Sequence, residues 1–346
     1  MNNKDAVISG EKTISKVYII LLNWNGWYET LQCLESVFRL NYPVLDVVVC
    51  DNGSTDSSVE KICAWAKGNL DLVYYDHTPL NSLIFPPMKK PIPLIENLYD
   101  FKNHNESPRL ILISTGANLG YSGGINVGLR FVLNVGDLDY AWVLNNDTVV
   151  APDALHALVE RVQEVGENVG ICGSTIHYFD DPGKVQAFGG IKYNKWLGKT
   201  TFLTKTGKER SWIETNMDAV YGASMFVSKK FLETVGLMSE EYFLYYEELD
   251  WSLRGHMKGF KSCYAPQSRI FHHGGSSTKA SERNSNNKSF NSDYYFLRNR
   301  ILFTRKFFSF ALVTIYLSLM ISLFNRIRRG QYDRIKMIYN IIFEKN

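Results

Sequence analysis

At 346 residues and 39.6 kDa, with 45% hydrophobic and 21% charged residues, the chain can build one large or two modest domains and is too apolar to be disordered throughout. A net charge of +3 is too small for a nucleic-acid binder. Five scattered cysteines without a CxxC pair exclude a zinc ribbon and a disulfide scaffold and point to a reducing compartment.

Residues 1–15 form a polar tail without the apolar stretch of a secretory signal, so the body is expected in the cytosol. Residues 17–22 (VYIILL) read as a buried strand, with a turn at Gly26. Leu31, Leu34, Val37 and Phe38 space a helix over 29–40, which Tyr42-Pro43 stops. A second buried strand over 46–50 ends at Asp51; a loop and a helix over 57–67 follow. Strand, helix, strand, helix at this spacing predicts βαβ units and a parallel sheet. Six of the ten prolines then fall between residues 78 and 108 without periodicity, predicting an inserted surface excursion. The pattern resumes with a strand over 109–114, a glycine-rich stretch over 120–128 and a strand over 140–144. Leu155, Leu158, Val159 and Val162 mark another amphipathic helix, and 171–179 and 219–227 read as strands.

From residue 298 onward ten basic residues face two acidic ones, whereas the first 297 residues carry a balance of −5. Within that basic tail, residues 307–325 hold no charge and are bordered by Arg305, Lys306, Arg326, Arg328 and Arg329. About 18 apolar residues is the lower limit for a bilayer span. The basic borders fit a helix lying on an anionic membrane surface at least as well, and a buried core helix is the third reading.

In doubly wound sheets, ligands bind beyond the carboxyl ends of the strands. Asn23-Trp24-Asn25-Gly26, Asp51 to Asp56 and Asn145-Asn146-Asp147 all follow predicted strands. Each alone is an ordinary turn or cap. Three at one edge suggest a binding crevice. The first turn reads NWNGWYET, not GxGxxG, and no GxxxxGK[ST] occurs, which excludes a Rossmann dinucleotide site and a P-loop.

NWNG, DNGSTDSS, NLGYSGGINVG, LNNDT, YYEELDWSLR and IFHHGGSS together resemble the successive motifs of family 2 glycosyltransferases. The likeness runs from about residue 16 to 277 and is nearest the rhamnosyltransferase-like branch that builds bacterial and archaeal surface glycans. The segment YYFLRNR at 294–300 is also similar to that branch; the proline-rich excursion is not part of its pattern. The resemblance implies an α/β fold of the GT-A type: a Rossmann-like, mostly parallel sheet flanked by helices. The catalytic domain would occupy 16–290, and a basic apolar helical tail 291–346 would associate with the membrane.

The same resemblance implies the site. Asp51 would accept hydrogen bonds from a nucleobase, with Asn23, Asn25 and Asn146 beside the nucleotide. Asn118 and the small Gly120, Gly123 and Gly124 would let backbone approach nucleotide and sugar. Asp147 is the metal candidate, and Mg²⁺ or Mn²⁺ is the expected ion. The family's DxD is Asn145-Asn146-Asp147 here, so a second ligand is sought elsewhere, and His272 stands where the family has its C-terminal histidine. Glu248 occupies the position of the family's general base, the second residue of a Glu-Asp pair, with Glu247 and Asp250 in support and Arg254 paired to Asp250. Tyr221 to Met225 resemble the segment beside the acceptor. A single base opposite the departing diphosphate implies inversion.

The expected partners are a nucleoside diphosphate sugar, a glycan or lipid-linked acceptor and the cytosolic face of the cell membrane, with no nucleic acid. A non-catalytic glycan- or nucleotide-binding scaffold remains the alternative, because the metal motif lacks its first acid and the base is glutamate. A nucleotidyltransferase would want basic residues after the first strand, and NWNGWYET has none.

Overall fold

The computed structural model describes residues 14–72, 78–96, 98, 101, 107–204, 207, 209–274 and 289–343. The first half alternates β1 (Val17–Asn23), α1 (Trp27–Val37), β2 (Leu45–Asp51), α2 (Ser58–Lys67), the short α3 (Asn81–Ile84), β3 (Leu94–Ile95), β4 (Leu110–Ser114) and α4 (Gly120–Val135). Next come β5 (Tyr140–Asn145), β6 (Thr148–Val150), α5 (Ala154–Val165), β7 (Val169–Tyr178), β8 (Val185–Phe188), β9 (Gly190–Asn194) and β10 (Lys199–Phe202). The chain continues through α6 (Arg210–Asn216), β11 (Ala219–Val220), β12 (Ser224–Ser228), α7 (Lys229–Val235), α8 (Glu247–Met257) and β13 (Lys261–His272). It closes with α9 (Phe290–Phe307), α10 (Leu312–Arg328) and α11 (Tyr332–Phe343).

The main sheet has the order β3-β4-β2-β1-β5-β12-β7-β13-β6, with β8 beside β7; β10, β9 and β11 form a second, smaller sheet. From β3 to β5 every pairing is parallel, and β12 runs antiparallel to both neighbours. The apolar run of β1 does not alternate because both faces are covered. Val17, Ile19 and Leu21 enter one core layer with α1, α2 and α5, and Tyr18 and Ile20 enter the other with α4, α7 and α8. The predicted strand over 219–227 is two strands in two sheets, separated by Tyr221-Gly222-Ala223.

The glycine-rich stretch is the first half of α4. Glycines in a helix interior cost about 1 kcal/mol each relative to alanine, and close packing on the sheet offsets that cost. A Cβ on Gly124 would lie 2.3 Å from Leu22, and one on Gly128 2.8 Å from Ile20.

The proline-rich stretch departs from its expected surface position. β3 pairs with β4 at the edge of the main sheet, and Leu80, Ile84, Ile92 and Ile95 are buried. Glu35 of α1, wholly buried, accepts hydrogen bonds from the Met88 N–H at 2.7 Å, Lys90 Nζ at 2.8 Å and Trp65 Nε1 at 2.9 Å. The apolar residues that do this are irregularly spaced among prolines, so neither a 3.6 nor a 2 period reveals them.

The tail also divides differently from the expected boundary at residue 291. Asn299, Arg300, Phe303 and Thr304 of α9 are buried, and Phe303 packs with Ile191, Tyr242, Tyr246 and Leu249 of the body. The opposite side of α9 meets α10 and α11 through Leu297, Ile301, Ile315, Leu319 and Ile338, and Asp293 pairs with Arg326 and Arg334. The uncharged run is not one helix: α9 ends at Phe307 and α10 starts at Leu312. Ser309–Arg328 is long and apolar enough to cross a membrane by length and composition. One face of α10 is nevertheless packed on its neighbours, while Val313, Leu317, Met320, Ile321, Phe324 and Ile327 are exposed.

Candidate active site

The carboxyl ends of β1, β2, β4 and β5 fall level. Asn23 stands opposite Asp51, Asp51 opposite Ser114, and Leu22 opposite Asn145. The polar clusters following these strands therefore share one edge, as the crevice rule for open α/β sheets requires.

At the β1 and β2 ends, Asp51 is 2% exposed and accepts from Asn23 Nδ2 at 2.7 Å and from the Ser54 N–H at 3.0 Å. Two partners leave part of the carboxylate's accepting capacity for a ligand. Asn23 is buried and accepts from the Thr30 hydroxyl, so its role is to hold Asp51 and α1. Asn25, at φ 51°, accepts from the Thr55 N–H at 2.7 Å and shapes the loop. Asn52, which sequence reading passed over as a turn residue, links this end to the next. Its Nδ2 donates to Asn118 Oδ1 and the Gly120 carbonyl, each at 3.1 Å, and its Oδ1 accepts from the Leu119 N–H. Asn118 is exposed and also accepts from the Gly120 N–H.

The three glycines expected to face nucleotide and sugar are taken up by protein. A Cβ on Gly120 would stand 2.5 Å from the Phe243 carbonyl oxygen, one on Gly123 2.8 Å from Leu119, and one on Gly124 would meet Leu22 and Asn52. Their missing side chains let α4 pack closely on the sheet and on the loop at Phe243.

At the β5 end, Asn146 is buried and donates to the Thr30 hydroxyl at 2.8 Å, which uses the side chain internally. Asp147 and His272 meet instead. β13 runs antiparallel to β6 with His272 opposite Thr148, which brings His272 Nε2 to 3.3 Å from Asp147 Oδ1. Asn145 Nδ2 lies 3.5 Å from the same nitrogen. On the far side of the ring, Nδ1 is 3.1 Å from Oε1 of the buried Gln186 on β8. In the tautomer that donates from Nδ1–H to that oxygen, Nε2 carries a lone pair. In that tautomer the Nε2 lone pair and the carboxylate oxygen 3.3 Å away suit a cation between them, whereas a proton on Nε2 makes the same contact a direct hydrogen bond. The donor set therefore fits a divalent ion that also takes diphosphate oxygens and water. Among the described residues no group of three or more His, Cys, Asp or Glu gathers to hold a metal by protein alone.

Tyr121 joins this end to the acidic pair. Its hydroxyl is 3.1 Å from Asn145 Oδ1 and 3.3 Å from the Gly222 carbonyl oxygen. Burial, reinforced by the charges of Glu247, Glu248 and Asp147, holds its phenol far above the usual range, so it stays a donor. A Cβ on Gly222 would lie 3.8 Å from that of Glu248, and the Tyr221 ring stands edge-on to His272 at 5.9 Å. His272, Asn145, Tyr121, Gly222 and Glu248 thus form one continuous wall.

Glu247 and Glu248 begin α8. Burial pushes Glu248 up to about 7, against backbone N–H groups at the helix start that favour its charged form. Glu247 rises well above the usual carboxylate range through burial and the neighbouring Glu248 charge, and its Oε2 has no hydrogen-bond partner among the described residues. Asp250 does not join them. Two residues beyond Glu248 it is turned roughly 200° around the helix, and it is buried against Arg254, Lys306 Nζ at 2.7 Å and the Tyr242 hydroxyl at 3.1 Å. Its expected partner Arg254 is present; its place is an anchor between α8 and α9, not the crevice.

The loop ahead of the pair is strained: Phe243, Tyr245 and Tyr246 all have positive φ, at 61°, 69° and 77°. Asn299 of α9, completely buried, holds it there. Its Nδ2 donates to the carbonyls of Tyr242 and Leu244, each at 2.7 Å, and of Tyr245 at 3.1 Å. Asn299 was legible only as part of the YYFLRNR likeness, and Gln186 carried no sequence signal at all.

Comparison with known proteins decides the family. The model described as "Glycosyltransferase like family 2" matches residues 109–291, more than half of the chain, and "Glycosyl transferase family 2" matches residues 18–82. The chain belongs to glycosyltransferase family 2. Neither family match covers residues 83–108, the bulk of the proline-rich stretch. Among relatives of this family-2 protein, the low-salt glycan biosynthesis hexosyltransferase Agl10 of Haloferax volcanii is 27% identical over 150 residues, covering 41% of this chain and 45% of its own. The N-acetylglucosaminyl-diphospho-decaprenol L-rhamnosyltransferase of Mycobacterium tuberculosis is 26% identical over 220 residues, covering 56% of this chain and 68% of its own. The mannosyltransferase PcManGT of Pyrobaculum calidifontis, solved with GDP-Man and Mn²⁺, shares the fold at a TM-score of 0.53 and 12% identity, over 96% of this chain and 86% of its own. The relatives named hexosyltransferase and rhamnosyltransferase support the rhamnosyltransferase-like branch of that family, and the structural neighbour shows a fold of the GT-A type.

Proposed function

We propose that this family-2 protein is an inverting glycosyltransferase that moves a hexose-class sugar, rhamnose being the first to test, from a nucleoside diphosphate to a hydroxyl of a glycan or lipid-linked glycan. The observation that carries this reading is the wall from Asp147 and His272 to Glu248. It brings the Asp147–His272 pair and a carboxyl pushed up to about 7 to one crevice at the strand ends, which supports a cation site beside a base. Asp51, with its spare accepting sites, would read the nucleobase. Asp147 and His272 would hold Mg²⁺ or Mn²⁺, which when bound offsets the charge gathering on the leaving diphosphate. Gln186, accepting from Nδ1–H, would orient the His272 ring with Nε2 toward that ion.

Glu248 would take the proton of the acceptor hydroxyl as its oxygen attacks the anomeric carbon. The bond from that carbon to the phosphate oxygen breaks with its electron pair leaving on the diphosphate. One displacement inverts the configuration. A buried carboxyl beside a half-buried one costs stability, and a scaffold has no use for such a cost.

The rhamnosyltransferase relative is named for a lipid-linked acceptor. The exposed apolar face of α10 and the arginines at its end support docking at the membrane, on the cytosolic side where nucleotide sugars are available. Because the other face of α10 packs on α9 and α11, the helix would lie in the interface and not cross it.

The pH dependence of kcat/KM tests the base. Burial pushes Glu248 up to about 7, so its proton-accepting form is lost as the pH falls through that region. Activity is expected to fall about tenfold per unit as pH drops below 7 and to level off above it. A flat profile from pH 5.5 to 8 would remove Glu248 from this role.

A further inference from the structure

The β9–β10 hairpin turns through Lys195-Trp196-Leu197-Gly198, and Trp196 and Leu197 are 49% and 46% exposed. A tryptophan and a leucine side by side at a hairpin tip are an unusual choice for a surface facing only water. The tip rests on the start of α10. The Trp196 ring stands edge-on to Phe310 at 5.4 Å, and the Thr314 hydroxyl donates to the Trp196 carbonyl at 2.6 Å. Lys195 Nζ lies 5.5 Å from the centre of the Phe310 ring. Phe310 is itself 60% exposed, so tip and exposed α10 face make one apolar strip.

Cations frame that strip. Lys192, Lys195 and Lys199 are exposed on the hairpin, and no acidic residue occurs between positions 190 and 204. Arg305, Arg328 and Arg329 are exposed near the two ends of α10, and no acidic residue occurs between 305 and 331. Lys192 is paired with Asp218 at 3.4 Å; the other cations border the apolar side chains as lipid phosphates above acyl chains require. A second copy of this chain would bring the same cations against one another.

We propose that the hairpin tip is the second half of a docking surface for an anionic bilayer, with Trp196 and Leu197 entering the interfacial layer beside α10. This rests on the membrane reading of α10 and adds a consequence for the acceptor. β9 pairs with β11, and β11 leads directly into Tyr221 and Gly222 beside His272 and Glu248. Docking by the tip holds the acceptor side of the crevice at the membrane surface, where a lipid-linked substrate arrives.

The full chain is tested by co-sedimentation with phosphatidylcholine vesicles, with and without phosphatidylglycerol. The double variant Trp196→Ser, Leu197→Ser should partition onto anionic vesicles about tenfold more weakly or worse. Met257→Ser, which alters an exposed methionine at the α7–α8 end, should partition as the parent does. Leu317→Ser with Phe324→Ser reports α10 separately. If that pair abolishes binding while the hairpin variant binds like the parent, the hairpin proposal is overturned and the α10 reading stands. If neither variant loses binding, both fall. Leu197→Cys gives a readout that leaves the tip intact, because all five native cysteines are buried. An environment-sensitive dye there should shift to the blue on anionic vesicles, and an unshifted spectrum overturns the proposal. So does a lipid-free dimer, seen by sedimentation, that the hairpin variant dissolves.

Discussion

Glu248→Gln is expected to reduce sugar transfer by about 10³-fold, within the range general-base catalysis contributes, while nucleotide affinity stays within about twofold of the parent. The amide matches the carboxyl in size, so the start of α8 and the contact with Gly222 are kept; only the ability to take a proton is lost. Glu247 cannot stand in for it. That carboxyl is 7% exposed and is held well above the usual range by burial and by its neighbour's charge, and the contact with Gly222 belongs to Glu248, not to it. Steady-state transfer measured beside nucleotide titration separates the two effects. More than a tenth of parental activity in the variant would mean that the proton leaves by another route.

Asp147→Ala should weaken nucleoside diphosphate binding about tenfold to a hundredfold in Mn²⁺, the equivalent of roughly 1.4 to 2.8 kcal/mol, and leave it unchanged in chelator. The substitution keeps the backbone carbonyl that accepts the His273 N–H at 3.1 Å, so the junction of β5, β6 and β13 should hold. It removes the oxygen that meets His272 Nε2. The difference between the two conditions is the informative quantity. Equal weakening in both would show that Asp147 shapes the crevice without holding an ion.

What the sequence reveals here follows from how local each signal is. The apolar runs of β1 and β2 and the spacing of Leu31, Leu34 and Val37 are local, and they give the parallel sheet and the edge where the polar clusters gather. The pairing of Asp147 with His272, far apart in the chain, comes from the order of the motifs; the antiparallel run of β13 on β6 is its physical cause. Three features escape such reading. The packing role of the α4 glycines is hidden because a missing side chain does not say what fills its space, and only the fold shows Phe243, Leu22 and Asn52 there. The proline-rich stretch hides its buried residues because their irregular spacing matches neither helix nor strand. Asn299 and Lys306 sit in a tail whose composition advertises a membrane, yet both reach back to the body. Asn299 holds the strained loop before Glu247, and Lys306 neutralises Asp250, which the chain sequence places beside Glu248 and the helix turns away from it. The first helix of the tail is thereby part of the catalytic body.

The most direct test of the central claim is calorimetric titration of UDP, dTDP and GDP into the intact protein, each with Mn²⁺ and then with chelator. A nucleotide crevice completed by a cation at Asp147 and His272 predicts that one of the three binds at least about tenfold more tightly with metal. Binding equally tight in chelator would contradict the cation's place at that pair. No binding of any of the three would contradict the transferase itself.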